Sequence, residues 1–362
     1  MPLDHFITLG RSGLRVSPFC LGTMTFGEDF GWGSSVADSE AILDRYLERG
    51  GNFIDTANLY TKGHSEKIIG DHLAKTPGKR DRLVLATKFS GNHHVGDPNG
   101  GGSSRKSIIA ACEQSLRRLG TDYIDLYWLH NWDKHTPIDE TMSALDDLVH
   151  AGKVRYLGVS DTPAWKVTQA QMLAEFRNWT PFVGLQIEYS LLERTVEGEL
   201  VPMARELGMG ITPWSPLRGG ILSGRHSRAT AGKPNASARG WVDTSKLDEP
   251  TFQLLDALAE VARELDSTVA RVALSWVQNR PGVTSTILGA RTLAHLDDNL
   301  AAIDVKLTPA QTTRLDALSK PKLNFPAAFL DYLPAIQAGG TTINGEASTP
   351  TPFGVTRVGD HY

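Results

Sequence analysis

Leu83-Val-Leu-Ala-Thr-Lys88 and Asp125-Leu-Tyr-Trp-Leu-His130 decide how this chain folds. Each is a short apolar run that ends on a polar side chain, as does Asn52-Phe-Ile-Asp55 upstream, with Tyr60 five residues beyond. Runs of this length read as buried strands, and the segments between them carry helical periodicity. If the strands lie parallel, a carboxylate, a phenol, an ammonium and an imidazole meet at their C-terminal ends.

Working outward, residues 6–16 predict a small hairpin turning at Gly10 to Gly13. Strands are expected at Phe19–Gly22, 52–55, 83–88, 124–130, Val154–Val159, Phe182–Ile187, Met209–Thr212 and Thr284–Ile287. Helices are expected at Asp38–Arg49, from about Ser65, and over Ser104–Leu119, where Gly120 supplies the stop. Others should span Ile138–His150, a segment opened by Pro163, Thr251–Leu265, Val269–Gln278, Leu293–Ala302 and Ala310–Leu318. Eight strand–helix units argue for an α/β (β/α)8 TIM barrel with an N-terminal β-hairpin and extended loops at its C-terminal face. An open doubly wound sheet would place G-x-G-x-x-G after its first strand, and no such stretch is there. One domain over 1–362 is expected, with a core of about 6–320. The tail 321–362 shows no helix period, and its Phe325–Tyr332 part is a candidate to close the mouth.

The 362 residues are 40% hydrophobic and 22% charged, with a net charge of −4. That balance excludes a nucleic-acid polyanion as the main partner, since such proteins present a basic face. No apolar stretch is long enough for a membrane span, and residues 1–20 lack a secretion signal, so the cytoplasm is the expected compartment. Cys20 and Cys112 are expected to be inert buried thiols. His93, His94 and Asp97 lie in a Gly-rich loop without metal-ligand spacing, so no metal is expected.

Tyrosine is a weak acid, with a reference pKa of about 10. A neighbouring ammonium should lower it, and a carboxylate should hold the ammonium in place. Asp55, Tyr60 and Lys88 supply those parts, and His130 can orient a bound carbonyl. A strand-ending Asp alone is often a cap, and a lone buried His is often a core group. Their joint placement at three successive strand ends is the argument for chemistry. Later, Trp214-Ser-Pro-Leu-Arg-Gly-Gly220 offers an indole for stacking and glycine-softened backbone for a pyrophosphate. Ile287-Leu-Gly-Ala-Arg-Thr292 enters a helix whose free N–H groups suit phosphate, and Arg291 favours a 2′-phosphate.

These residues resemble the aldo-keto reductases from Gly10 to about Asp304. Asp55-Thr-Ala-Asn-Leu-Tyr60 is similar to that family's D-x-A-x-x-Y signature. Lys88 and Leu129-His130 match its lysine and histidine elements, and Gly158-Val-Ser160, Gln186 and Trp214-Ser-Pro-Leu217 its nicotinamide stations. The resemblance implies an enzyme that reduces an aldehyde or ketone by hydride transfer from NADPH, with Tyr60 as general acid. Asp55, Lys88 and His130 would complete the catalytic set. It implies cofactor contacts from Gly22, Thr23, Met24, Asp55, Ser160, Gln186, Trp214, Ser215, Leu217, Gly219, Arg225 and Arg239. Gly289, Arg291, His295, Asp298 and Asn299 would take the nucleotide end. Met24, Trp32, Tyr60, His130 and Trp132 would wall the substrate pocket. His295, Asp298 and Asp161 depart from the residues more usual at their positions. The long Trp214–Thr251 segment resembles the bacterial and potassium-channel β-subunit branch. An NADPH-binding regulatory subunit is therefore the rival reading, against which His130 counts. A small carbonyl compound is the expected partner, and assembly into a homo-oligomer is left open.

Overall fold

A computed structural model describes residues 3–76, 78–230 and 247–351. Strands β1 (Ile7–Thr8) and β2 (Arg15–Val16) pair antiparallel as the hairpin. Eight further strands form one parallel sheet: β3 (Phe19–Gly22), β4 (Phe53–Asp55), β5 (Val84–Phe89), β6 (Ile124–Leu129), β7 (Val154–Ser160), β8 (Phe182–Glu188), β9 (Gly210–Trp214) and β10 (Thr286–Gly289). Their spatial order is their chain order, except that β10 lies beside β3. The sheet closes where Ile211 of β9 bridges Val283, with Thr284 N–H donating to Ile211 O at 2.8 Å.

That closure corrects one boundary. The eighth strand was expected at Thr284–Ile287 but runs over Thr286–Gly289. The backbone of Thr284 is spent on Ile211, and ladder pairing with Phe19–Gly22 begins two residues later.

Helices α1 (Val36–Glu48), α2 (His64–Ala74), α3 (Arg105–Leu119), α4 (Ile138–His150), α5 (Ala164–Arg177), α6 (Leu200–Glu206), α7 (Glu249–Glu264), α8 (Val269–Gln278), α9 (Leu293–Leu300) and α10 (Pro309–Leu318) follow in turn. Caps set their starts. Ser35 accepts from Asp38 N–H and Asp248 from Thr251 N–H, so α1 and α7 each begin two residues before their apolar pattern shows. A cap of this kind contributes about 1 kcal/mol. The tail departs from expectation. It folds into α11 (Ala327–Leu330), α12 (Leu333–Gln337) and a hairpin of β11 (Thr342–Ile343) with β12 (Glu346–Ala347).

Side-chain parity places the site. Phe53, Val84, Ala86, Leu126 and Trp128 point into the barrel, where they pack with Leu9, Leu14 and Val16 of the hairpin. Ile54 and Leu85 point outward beneath α1 and α2, and Phe89, Tyr127 and Leu129 pack in the other outer core. Because the strand period is two, Asp55, Lys88 and His130 continue the inward series Phe53, Val84–Ala86 and Leu126–Trp128. Apolar residues fill the barrel from below and polar ones finish it above.

Candidate active site

Lys88 is fully buried, and its ammonium is paired with the equally buried Asp55 carboxylate at Oδ2. It also donates to Thr56 O at 2.9 Å and to Tyr60 Oη at 3.1 Å. Gln186 Nε2 donates to the second Asp55 oxygen at 3.1 Å, so the carboxylate is held from both sides. The His130 ring stands edge-on to Tyr60, with centroids 6.1 Å apart and planes at 83°. The four residues expected to act together are together.

Burial opposes the Lys88 charge, but Asp55 and Tyr60 outweigh it and hold the ammonium above its ordinary range. Burial also raises the Asp55 carboxyl, while Lys88 draws it back. For Tyr60 the expectation needs correcting: burial outweighs the ammonium, and the phenol sits above its ordinary value, not below it. Burial and the nearby Lys88 charge push His130 down to about 3, so its imidazole is neutral at physiological pH. The site is a protonated phenol beside a fixed cation and a neutral ring.

Asp55, Tyr60 and His130 of this constellation line a cavity of about 830 Å³. Gly22, Met24, Asp55, Ser160, Gln186, Trp214, Ser215, Leu217 and Gly219 line it, as do Trp32, Tyr60 and His130. Arg225, Gly289, Arg291, His295, Asp298 and Asn299 line it as well. Lys88 stays behind Tyr60. Phe30 joins the wall, its ring 5.7 Å from that of Trp32, and so do Leu59, Ala270 and Leu274, none of them anticipated. The four-residue spacing of Ala270 and Leu274 on α8 marks a helix face, but nothing local shows that it looks into the barrel mouth.

Two expected residues do not line the cavity, nor does any described residue of the tail. Thr23 has the outward parity of Leu21, and its hydroxyl meets Ser65 Oγ at 2.9 Å and Asp55 O at 3.1 Å. Trp132 lies past the end of β6, where parity no longer applies, and its ring packs edge-on against Trp165. Phe325 is 86% exposed and Phe329 52%, so that part of the tail does not cover the mouth. Arg239 lies outside the described residues.

The lining suits a dinucleotide. Ser160 carries a buried hydroxyl that makes no hydrogen bond of ordinary geometry among the described residues. Gln186 has committed its amide nitrogen to Asp55, which leaves its carbonyl as an acceptor. The Trp214 ring is anchored by its Nε1–H to Asp161 Oδ1 at 3.1 Å. Past it, Ser215, Arg218, Gly219 and Gly220 all have positive φ, and the loop is closed by Arg218 N–H donating to Ser215 O at 2.8 Å, Gly220 N–H to Leu217 O at 2.9 Å and Gly219 N–H to Ser215 Oγ at 3.3 Å. Thr292 caps α9, and the Arg291 guanidinium forms no ion pair among the described residues. Asp298 is engaged by Arg271 Nε at 2.8 Å, and His295 Nε2 meets Arg225 Nη2 at 3.1 Å. No group of three or more His, Cys, Asp or Glu side chains placed to hold a metal occurs among the described residues.

The Aldo/keto reductase family model matches residues 18–320. The chain belongs to this family. An uncharacterized oxidoreductase of Bacillus subtilis, YrpG, is 40% identical over 312 residues, covering 84% of this chain and 92% of that protein. The putative aryl-alcohol dehydrogenase AAD14 of Saccharomyces cerevisiae is 35% identical, covering 90% and 89%. A norsolorinic acid reductase of Aspergillus flavus is 34% identical, covering 91% and 84%. The protein is an oxidoreductase of a family that generally uses NAD(P)H. Among the described residues no helix is long and apolar enough to cross a membrane.

Proposed function

We propose that this protein reduces aryl aldehydes or ketones with NADPH, Tyr60 supplying the proton. The observation that carries the reading is the 3.1 Å approach of the buried Lys88 ammonium to a phenol that lines the cavity beside His130. When bound, NADPH supplies the hydride.

The chain does the rest. Tyr60 donates its proton to the carbonyl oxygen as charge develops there. An alkoxide is far more basic than a phenolate, so the transfer runs downhill even from a phenol raised by burial. Lys88 then steadies the phenolate, and Asp55 keeps Lys88 charged and in place. His130, being neutral, can donate a ring N–H to the same oxygen without competing as an acid.

Ser160 and Gln186 would hold the carboxamide and Trp214 the ring face. The Ser215–Gly220 backbone and Arg225 would take the pyrophosphate. Arg291 suits a 2′-phosphate, which is the reason for NADPH over NADH. Phe30, Trp32 and Leu59 offer apolar walls to an aromatic substrate. The aryl-alcohol dehydrogenases among the relatives support the same class.

Tyr60→Phe tests the reading. It should bind NADPH as the wild type does, by fluorescence titration, while benzaldehyde reduction falls about 10³-fold. Unchanged turnover would remove Tyr60 from its role.

A further inference from the structure

Tyr60 is followed by Thr61 (φ 46°), Lys62 (φ 60°) and Gly63 (φ 90°), three successive residues in the left-handed region. Two of them carry side chains that ordinarily avoid it, so the turn has to be held from outside. What holds it lies away from the cavity, on the outer face of β5.

Thr87 precedes Lys88 and so points to the opposite side of the sheet. Its hydroxyl donates to Glu66 Oε1 at 2.6 Å. Glu66 stands fully buried in the first turn of α2, the helix into which the Tyr60 turn runs. Its Oε2 accepts from Arg118 Nε at 2.6 Å, and Arg118 comes from the last turn of α3. The Arg118 stem lies over the turn itself: a Cβ on Gly63 would meet Arg118 Cδ at 2.9 Å and Nε at 3.0 Å. On the other flank Thr61 Oγ1 donates to Phe26 O at 2.9 Å and accepts from Ser65 N–H at 3.0 Å. Thr87, Glu66 and Arg118 do not line the cavity.

We propose that Thr87, Glu66 and Arg118 form a clamp that fixes the Tyr60 turn against β5 and so sets the separation of Tyr60 from Lys88. The proposal rests on Tyr60 being the proton donor. One extended backbone carries the ammonium on its inner face and the Thr87 hydroxyl on its outer face. Glu66 takes its position from the hydroxyl and Tyr60 takes its electrostatic support from the ammonium. Both ends of the turn are thereby referenced to the same rigid strand. All three are positioning residues, acting through Tyr60.

Thr87→Val tests this, because it keeps the shape and removes the hydroxyl, while Thr87→Ser restores it. In Thr87→Val, kcat should fall about tenfold with KM and the NADPH Kd changed less than about twofold, as expected when a reacting group is slightly misplaced. The alkaline limb of the kcat–pH profile for reduction should move up, because an ammonium held farther off lowers the phenol less. Thr87→Ser should return both values. A structural defect would lower the urea midpoint and leave the limb where it was. Arg118→Lys keeps a charge but exchanges the planar fork over Gly63, and should shift the same two readouts by a smaller factor even if Thr87→Val does not fold. Wild-type kcat and limb in Thr87→Val, or in Arg118→Lys, would overturn the clamp. Undiminished turnover in Tyr60→Phe would instead overturn the proton-donor reading on which it stands.

Discussion

Two tyrosines at opposite ends of the barrel, Tyr46 buried and Tyr60 half-buried, differ in what surrounds the phenol. Tyr46, on α1, reaches under the start of β3 and β4, where its hydroxyl lies 2.7 Å from Ser17 Oγ, 2.8 Å from Phe19 O and 2.9 Å from Phe53 O, and accepts from Phe53 N–H at 3.2 Å. Tyr60, just beyond the far end of β4, has Lys88 as its donor and turns its remaining face to the cavity. Burial raises both phenols. Burial alone therefore does not make a phenol reactive. On the proposed reading a fixed cation and an open side do, and these exist at the C-terminal end, where barrel enzymes keep their chemistry.

The largest effect should separate the two. Tyr60→Phe is expected to lose about 10³-fold in reduction with its urea midpoint nearly unchanged. Tyr46→Phe should do the reverse. It strips a donor and an acceptor from the buried backbone of Phe19 and Phe53, at a cost of about 1–3 kcal/mol, while kcat per folded molecule holds. Denaturation curves and NADPH-linked assays on the two variants check this pair. A loss of kcat in Tyr46→Phe equal to its loss of stability would dissolve the contrast.

The same division explains what was legible in the sequence. Strand positions were readable because each is a short apolar run ending on a polar side chain, and a period of two then carries Phe53 to Asp55, Val84 to Lys88 and Leu126 to His130. Helices such as Val269–Gln278 were readable to the residue because Thr268 supplies a cap. Parity also explains the failures. Thr23 has the outward parity that Gly22 lacks, and Trp132 would face inward only if β6 ran on past Leu129. Thr284 and Ser285 have strand composition, but closure of the barrel claims their backbone for Ile211. The clamp behind Tyr60 left no local pattern, since Glu66, Thr87 and Arg118 meet only once three elements have packed.

A further difference between the two ends is sensitivity to acid. His130 titrates near 3 in the folded chain, against about 6.5 when unfolded. Between those values the unfolded chain takes up a proton that the native one refuses. Stability should therefore fall as pH drops below about 6.5, by up to about 1.4 kcal/mol per unit for this one group, and be unaffected above it. His130→Asn should flatten the fall between pH 7 and pH 5 in urea titrations. Tyr46→Phe should leave the slope as in the wild type. An equal slope in His130→Asn and wild type would show that the imidazole is not held neutral.

The smallest effect concerns Asp161, a solvent-exposed residue that borders the cavity and accepts from the Trp214 indole. Burial raises its carboxyl to about 6, and the hydrogen bond from Trp214 pulls the other way. Its folded value lies above the unfolded one, so the native state holds the extra proton between roughly pH 4 and pH 6. Its contribution to stability is present at pH 4 and is lost as pH rises through 6. Asp161→Asn removes the charge that is costly to keep near neutrality, and its amide oxygen can still accept from Trp214. The variant should melt a degree or so above the wild type at pH 7.5, with the difference vanishing near pH 4.5, because solvent in the cavity screens much of the cost. A scanning-fluorimetry series across that range reads the effect. A gain of equal size at both pH values would mean that the substitution acts through packing and not through charge, and would place Asp161 with the apolar end of the barrel instead of with its mouth.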